Sequence, residues 1–267
     1  MDDHTLDSMH EENHAFWWTI DGMALGQCRS KNPDYYWTIQ PEESWCSLHK
    51  VRSTPEVFDQ VLGDLISQAQ VIDGAIHAHI SSRSEPDNCI ALMRNRGFQH
   101  AVRYPVLAES LSRLTSSGQK TDIRSDLITD FTQFGASFSH PQLGKIKTKS
   151  QKNLLTQLQS RVENSNGNIE HYLLQNDDQI LGAFTLVFYA ETCGLYDIKF
   201  LDEFYDSEHF EALTDEVIRL AKRRESLAVA MIKDRNETTF FRSRGFREVG
   251  WLSWLYLSKS KVHAAAI

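Results

Sequence analysis

The residues best placed to do chemistry lie in the run Gly194-Leu195-Tyr196-Asp197-Ile198-Lys199-Phe200-Leu201, which reads as a strand. Tyr196 and Asp197 are adjacent polar residues on it. A carboxylate in such a place can take a proton from an amine, and a phenol can give one. Strand alternation sends one of Asp197 and Ile198 toward a core. Tyr205 and His209 follow shortly after as further candidate acids. A second group is His77 and His79, which alternate and so share one strand face, with His49 on the strand expected beside them. These imidazoles could bind a metal or serve as a base, or they could be half-buried, hydrogen-bonded structural residues. No carboxylate or cysteine completes a ligand set with them. The aromatic stretches Phe16-Trp17-Trp18, Tyr35-Tyr36-Trp37 and Trp251-Leu-Ser-Trp254-Leu-Tyr256 could line a groove or fill a sheet core. The sequence contains no zinc-finger spacing, P-loop, dinucleotide fingerprint or nucleophile elbow.

The elements that must position these residues come in two copies. Asn88 to Phe98 and Asn236 to Phe246 match at a constant offset of 148, with Asn, Arg, Arg, Gly and Phe identical. Upstream, Cys46-Ser-Leu48-His-Lys-Val51-Arg52 aligns with Cys193-Gly-Leu195-Tyr-Asp-Ile198-Lys199, and Leu25-Gly26 with Leu181-Gly182. The second copy reads as a hairpin (168–174 and 180–189), a strand (194–201), a helix (209–224), a strand (227–232), a short helix (236–242) and a final strand (247–257). The first copy reads as a hairpin over 17–26, a strand over 44–52, a helix over 55–69 opened by the capping box Ser53-Thr-Pro-Glu56, and strands over 75–81 and 99–107. Asn88 and Asn236 are expected to cap the short helices. Between the copies, Ile123, Leu127, Phe131 and Phe134 share helical spacing, as do Leu154, Leu155, Leu158 and Val162, so two helices are expected there. Lys145, Lys147, Lys149 and Lys152 form a basic run between them, read as a solvated loop or a contact for phosphate or an acidic partner. The expected division is 1–107, a truncated unit, and 108–267, a full unit with two leading helices.

The 267 residues are 41% hydrophobic and 24% charged, as in an ordinary globular protein. A net charge of −8 argues against a general nucleic-acid or anionic-membrane surface. No apolar run is long enough to span a membrane, and the acidic start lacks the pattern of a secretory signal. Cys28, Cys46, Cys89 and Cys193 are scattered and read as reduced thiols of a cytoplasmic protein.

The element order and the ending Arg242-Ser-Arg244-Gly245-Phe246 resemble the GCN5-related N-acetyltransferase (GNAT) superfamily in tandem arrangement. The resemblance covers about 121–257 as a full unit and 14–107 as a truncated one. It implies an α/β (α+β) fold of two GNAT-like units, each a mixed, mostly antiparallel sheet flanked by helices. It also implies an N-acyltransferase that moves an acetyl or other acyl group from acetyl-CoA or another acyl-CoA to a small-molecule or peptide amine. The cofactor would run along the Gly194–Leu201 strand, splayed from the 227–232 strand. That assigns Ile198, Phe200, Leu201, Ser207, His209 and Asn236 to cofactor binding, and Asp197, Tyr196 and Tyr205 to catalysis. The pattern departs from the family in three places. Glu208 and Phe210 stand where the phosphate loop has glycines, Tyr205 stands for its first arginine or glutamine, and Phe241 and Met93 stand for the acid tyrosine. These departures support an alternative: a GNAT-fold protein without coenzyme A that binds a ligand or partner.

Overall fold

The computed structural model describes residues 1–24, 35–40, 44–115, 122–129, 158–177, 179–201, 204–233 and 237–264, and the side chains of 21–24 and Gln40 lie outside that description. Leu25-Gly26, Phe131, Phe134, Leu154, Leu155, the Lys145–Lys152 run and Asn236 also lie outside it.

The chain forms two compact units. The larger comprises Met1–Asn13 with Val106–Val249, and the smaller His14–Pro105 with Gly250–Ile267. The division expected at 107/108 therefore falls within a strand, and each unit takes a closing strand from the other half of the sequence.

In the smaller unit the strands are β1 (Tyr35–Gln40), β2 (Trp45–Val51), β3 (Ala75–Ser81), the later part of β10 (Arg247–Leu257) and the earlier part of β4 (Gln99–Ser110), in that order. Strand β2 runs parallel to β3, while β10 pairs antiparallel with β3 from Leu252↔Ser81 to Leu257↔Ile76. Helix α2 (Pro55–Val71) buries Phe58, Val61, Leu62, Leu65, Ile66 and Ala69 against one sheet face, a spacing of three and four that fits a helical stripe. Helices α3 (Cys89–Asn95) and α6 (Lys259–Ala264) join that core through Met93 and Val262.

In the larger unit the order is β4, β9 (Ala228–Ile232), β8 (Thr192–Phe200), β7 (Gln179–Tyr189), β6 (Ile169–Asn176) and β5 (Ile123–Leu127), and only β8–β9 is parallel. Helix α4 (Ser207–Arg223) and the short α5 (Thr238–Arg242) cover one face, with Phe210, Leu213, Val217, Leu220 and Phe241 in the core.

The internal repeat has a physical cause that is the same in both units. Gly97 and Gly245 end the short helices with φ of 89° and 93°. A side chain resists that left-handed conformation. Phe98 and Phe246 then donate their N–H groups to Met93 and Phe241 carbonyls and bury their rings. Arg96 pairs with Asp59 on α2, and Arg244 pairs with Asp215 on α4. The repeated Arg-Gly-Phe is thus a helix stop plus a tie to the long helix, a structural device.

Four local expectations are corrected. Residues 17–24 are not a hairpin but the end of helix α1 (Asp3–Ala24). Its inward positions Leu6, His10, Asn13, Trp17 and Ile20 do recur at helical spacing, but polar residues at two of them hide the stripe. Ile123–Leu127 is an edge strand paired to β6, not a helix. A five-residue strand with an exposed side satisfies the same i, i+4 pattern as one turn of helix. Residues 158–164 are helical as expected. At the start of α2 the cap is Thr54, whose Oγ1 accepts from Val57 N–H at 3.4 Å, one residue later than the expected Ser53. Asn88 occupies the N-cap position of α3 without a side-chain cap bond.

The β7–β8 hairpin turns through Ala190 and Glu191, both left-handed at φ 50° and 58°. A two-residue turn of this hand favours Asn-Gly. Ala190→Gly is therefore expected to raise stability by about 1 kcal/mol in urea denaturation. A neutral or destabilising result would show that the turn carries no such strain.

Candidate functional site

Strands β8 and β9 pair in parallel from Thr192↔Ala228 to Leu195↔Met231, and pairing then stops. The cause lies in β8. Asp197 has φ 48°, and the register against β7 slips between Ala183 and Thr185. This bulge inserts an extra residue and bends the strand away from its neighbour. A wedge opens between Tyr196–Phe200 and the end of β9, as the family resemblance implied.

Aromatic side chains pack together beside the wedge. Phe210, on the first turn of α4, is 0% exposed. Its ring stacks on Phe240 of α5 at 4.6 Å, meets Phe200 of β8 at 4.9 Å and takes the edges of Tyr205 and Phe241. One ring thus joins the three elements that flank the wedge mouth. Ile198 and Phe200 pack against the same core, with Phe210 in it. Leu201 is buried, and its N–H donates to the Leu181 carbonyl at 3.0 Å.

The helix terminus beside the wedge is also taken. Asp206 caps α4, accepting from His209 N–H at 3.0 Å and lying 2.8 Å from His209 Nδ1. The backbone N–H of His209 holds the Asp206 carboxyl below its ordinary pKa, so it stays anionic. Glu208 adds a second carboxylate in that turn, next to the exposed Ser207. The four free N–H groups of a helix start attract anions. Here the chain's own carboxylates meet them.

The proposed catalytic residues are each engaged with a different partner. The Tyr196 hydroxyl donates to Asn13 Oδ1 at 3.0 Å, and burial pushes its pKa up. Asp197 points outward, with its carboxylate 3.7 Å from Arg161. Tyr205 is 53% exposed and donates to Glu237 at 2.9 Å. Phe241 and Met93, at the acid-tyrosine positions, are fully buried.

Sequence reasoning missed Asn13. It is fully buried, and its Nδ2 donates to the carbonyls of Val187, Tyr189 and Thr192 at 2.8, 3.3 and 3.1 Å. It sits over Gly194, which leaves room for it. Only a long-range packing partner explains this residue, so no local pattern could have found it.

In the smaller unit the equivalent wedge is closed by backbone. Strand β2 pairs with β3 as far as Leu48↔Ala78. Beyond that, Glu85 N–H donates to the Val51 carbonyl at 3.0 Å and Ser53 N–H donates to the Glu85 carbonyl at 3.2 Å. The Glu85 segment thus occupies the edge of β2 past Leu48.

The histidines do meet on the other face of this sheet. His79 lies 5.3 Å from His14 and 5.7 Å from His49, and the Trp18 ring stacks on His49 at 5.3 Å. His49 is bonded to Thr38 Oγ1 at 3.2 Å and Ser47 Oγ at 3.3 Å, and His77 accepts from Trp254 Nε1 at 3.1 Å. Burial pushes His79 down to about 3 and His49 well below its ordinary value. These are neutral, packed imidazoles, and among the described residues no group has the arrangement of a metal site. Cys46 and Cys89 are buried with pKa raised to about 12, so neither is a ready nucleophile. Among the described residues no helix is long and apolar enough to cross a membrane.

Neither a protein-family model nor a curated protein matches the sequence. Solved structures do match. A tandem GNAT protein from the clavulanic acid biosynthesis pathway, determined without acetyl-CoA, aligns with a TM-score of 0.66 at 8% identity, over 97% of this chain and 96% of that one. A GCN5-related N-acetyltransferase from Kribbella flavida aligns at 0.63 and 9% identity, over 84% and 86%. Another from Sphaerobacter thermophilus aligns at 0.57 and 13%, over 85% and 77%. By architecture the chain has the GCN5-related N-acetyltransferase fold, with one match to a tandem member spanning nearly its whole length.

Proposed function

We propose that the chain is a non-catalytic GNAT-fold protein that holds no coenzyme A in either wedge and acts as a ligand- or partner-binding module. Phe210 carries this reading. A cofactor held at the start of α4, where Phe210 stands for a loop glycine, would have to displace a fully buried ring from contact with Phe200, Phe240 and Phe241. Uncovering a phenylalanine of this kind costs about 3 kcal/mol before any contact with the ligand is made. The carboxylates of Asp206 and Glu208 would then face its phosphates. In the smaller unit the arm would compete with two backbone hydrogen bonds from the Glu85 segment. The residues present therefore do not fit an acyl-CoA.

One observation favours the other reading, an N-acyltransferase acting on a small-molecule or peptide amine with acetyl-CoA or another acyl-CoA. The bulge at Asp197 still splays β8 from β9, and the length and order of the elements are kept. A thermal-shift titration separates the two. With acetyl-CoA at millimolar concentration, and AMP and pantetheine as controls, no change in melting temperature is expected. Saturation at a hundredfold excess over Kd would add about 2.7 kcal/mol, or roughly 5–10 °C for a chain of this size. A shift of that order would overturn the non-catalytic reading.

A further inference from the structure

We propose that a cleft at the tip of the β7–β8 hairpin binds a planar aromatic ring bearing a cationic amine. The cleft has a volume of about 480 Å³ and is lined by Phe188, Tyr189, Glu191, Arg224 and Glu225, with Asn168 and Ser226 among its polar walls. That is within the range that encloses small molecules.

Arg224 makes it a surface for a ring. Its guanidinium lies over the Phe188 ring at 4.7 Å. Its Nη2 donates to the Gly167 carbonyl at 2.7 Å, and its Nη1 lies 3.5 Å from a Glu170 carboxylate oxygen. Backbone and carboxylate together hold the plane in place, so a ligand ring that stacks there immobilises little further. Tyr189, 41% exposed, offers a second aromatic wall.

The charge of the cleft selects the rest of the ligand. Glu170 already faces the charge of Arg224. Glu191 and Glu225 add two exposed carboxylates at left-handed positions, with φ of 58° and 55°. Glycine would relieve the backbone at both, so the carboxylates sit there at a cost in stability. An ammonium is favoured in such surroundings and a phosphate or carboxylate is disfavoured.

This cleft is separate from the wedge. It opens at Thr192, whereas the wedge follows Leu195 and reaches Phe200. Three residues of strand, about 10 Å, separate Thr192 from Leu195, where the wedge begins. The inference therefore does not depend on whether coenzyme A binds.

Calorimetric titration of the full chain with tryptamine tests it. Saturable binding is expected at low-millimolar affinity or better, with indole-3-acetate silent and n-hexylamine at least about tenfold weaker because it lacks the ring. The double substitution Glu191→Gln, Glu225→Gln should weaken tryptamine roughly tenfold, since each exposed carboxylate contributes modestly. Both positions are exposed, so an unchanged melting temperature verifies that the variant is folded. Arg224→Lys keeps the charge, removes the planar group and should erase the preference for tryptamine over hexylamine. The proposal is overturned if tryptamine does not saturate, if hexylamine matches it, or if the double glutamine variant binds as the wild type does.

Discussion

Gly194→Ala is expected to destabilise the larger unit by about 3 kcal/mol or more, an unusual loss for one added methyl group. A Cβ at this position would lie 2.6 Å from Tyr196 Cε2 and 2.9 Å from Asn13 Cγ, and it would overlap Asn13 Oδ1. Ordinary contact begins near 3.5 Å, so something must move. Asn13 cannot move cheaply. Its amide serves three carbonyls at the turn end of the β7–β8 hairpin and accepts from the Tyr196 hydroxyl. Displacing it strands buried polar groups, and each costs about 1–3 kcal/mol. Two further variants separate these terms. Asn13→Ala alone should cost a similar amount, because the carbonyls lose their donor. The double variant Asn13→Ala, Gly194→Ala should cost distinctly less than the sum, because the overlap with Asn13 is gone and only that with Tyr196 remains. Urea denaturation of the four proteins reads the coupling directly. Additive losses would show that Asn13 and Gly194 do not share one packing constraint.

That pair also marks how far local sequence carries. The two-copy plan was legible because its signals are local. The helix stop at Gly97 and Gly245, and the buried Phe98 and Phe246 that follow, sit within a few residues of each other. The wedge could likewise be placed, because strand–helix–strand order and the Phe210 substitution lie in one continuous stretch. The ring cluster that gathers around Phe210 was not legible. Phe240 and Phe200 reach Phe210 from other elements, and only the fold brings the rings together. The exchange of closing strands was hidden for the same reason. Residues 106–110 pair with β9 and residues 252–257 with β3, choices made across more than a hundred residues of chain. Helix α1 was obscured differently. Its inward face carries His10, Asn13 and His14, residues that a search for an apolar stripe passes over. The Asn13 amide finds its partners in the fold, not in the sequence around it.

Lowering the pH from 7.5 to 5 is expected to remove several kcal/mol of stability, through histidines that are buried neutral. In the smaller unit these are His49 and His79, and in the larger His10 and His171. Burial lowers His10 to about 4, and His79 and His171 to about 3. In the unfolded chain each regains a pKa near 6.5. Below about 6.5 the unfolded state therefore takes up protons that the folded state refuses, and stability falls as pH falls. The stabilisation is complete above the unfolded value and is lost progressively toward the folded one, a window of roughly 6.5 down to 3. Each histidine contributes a slope of up to about 1.4 kcal/mol per pH unit inside it. Two in the smaller unit thus account for roughly 4 kcal/mol by pH 5, a large part of an ordinary domain's stability. Carboxylates such as Asp206 and Glu216, held below their ordinary pKa by hydrogen bonds, act in the same direction but only at more acid pH. Urea denaturation at pH 7.5, 6 and 5 measures the slope. His79→Gln, which keeps a polar side chain of similar size, should lower the slope by about one proton while leaving the pH 7.5 stability within about 2 kcal/mol. Equal stability at pH 7.5 and pH 5 in the wild type would mean that these imidazoles accept protons in place, and that the cluster around His79 is open to water.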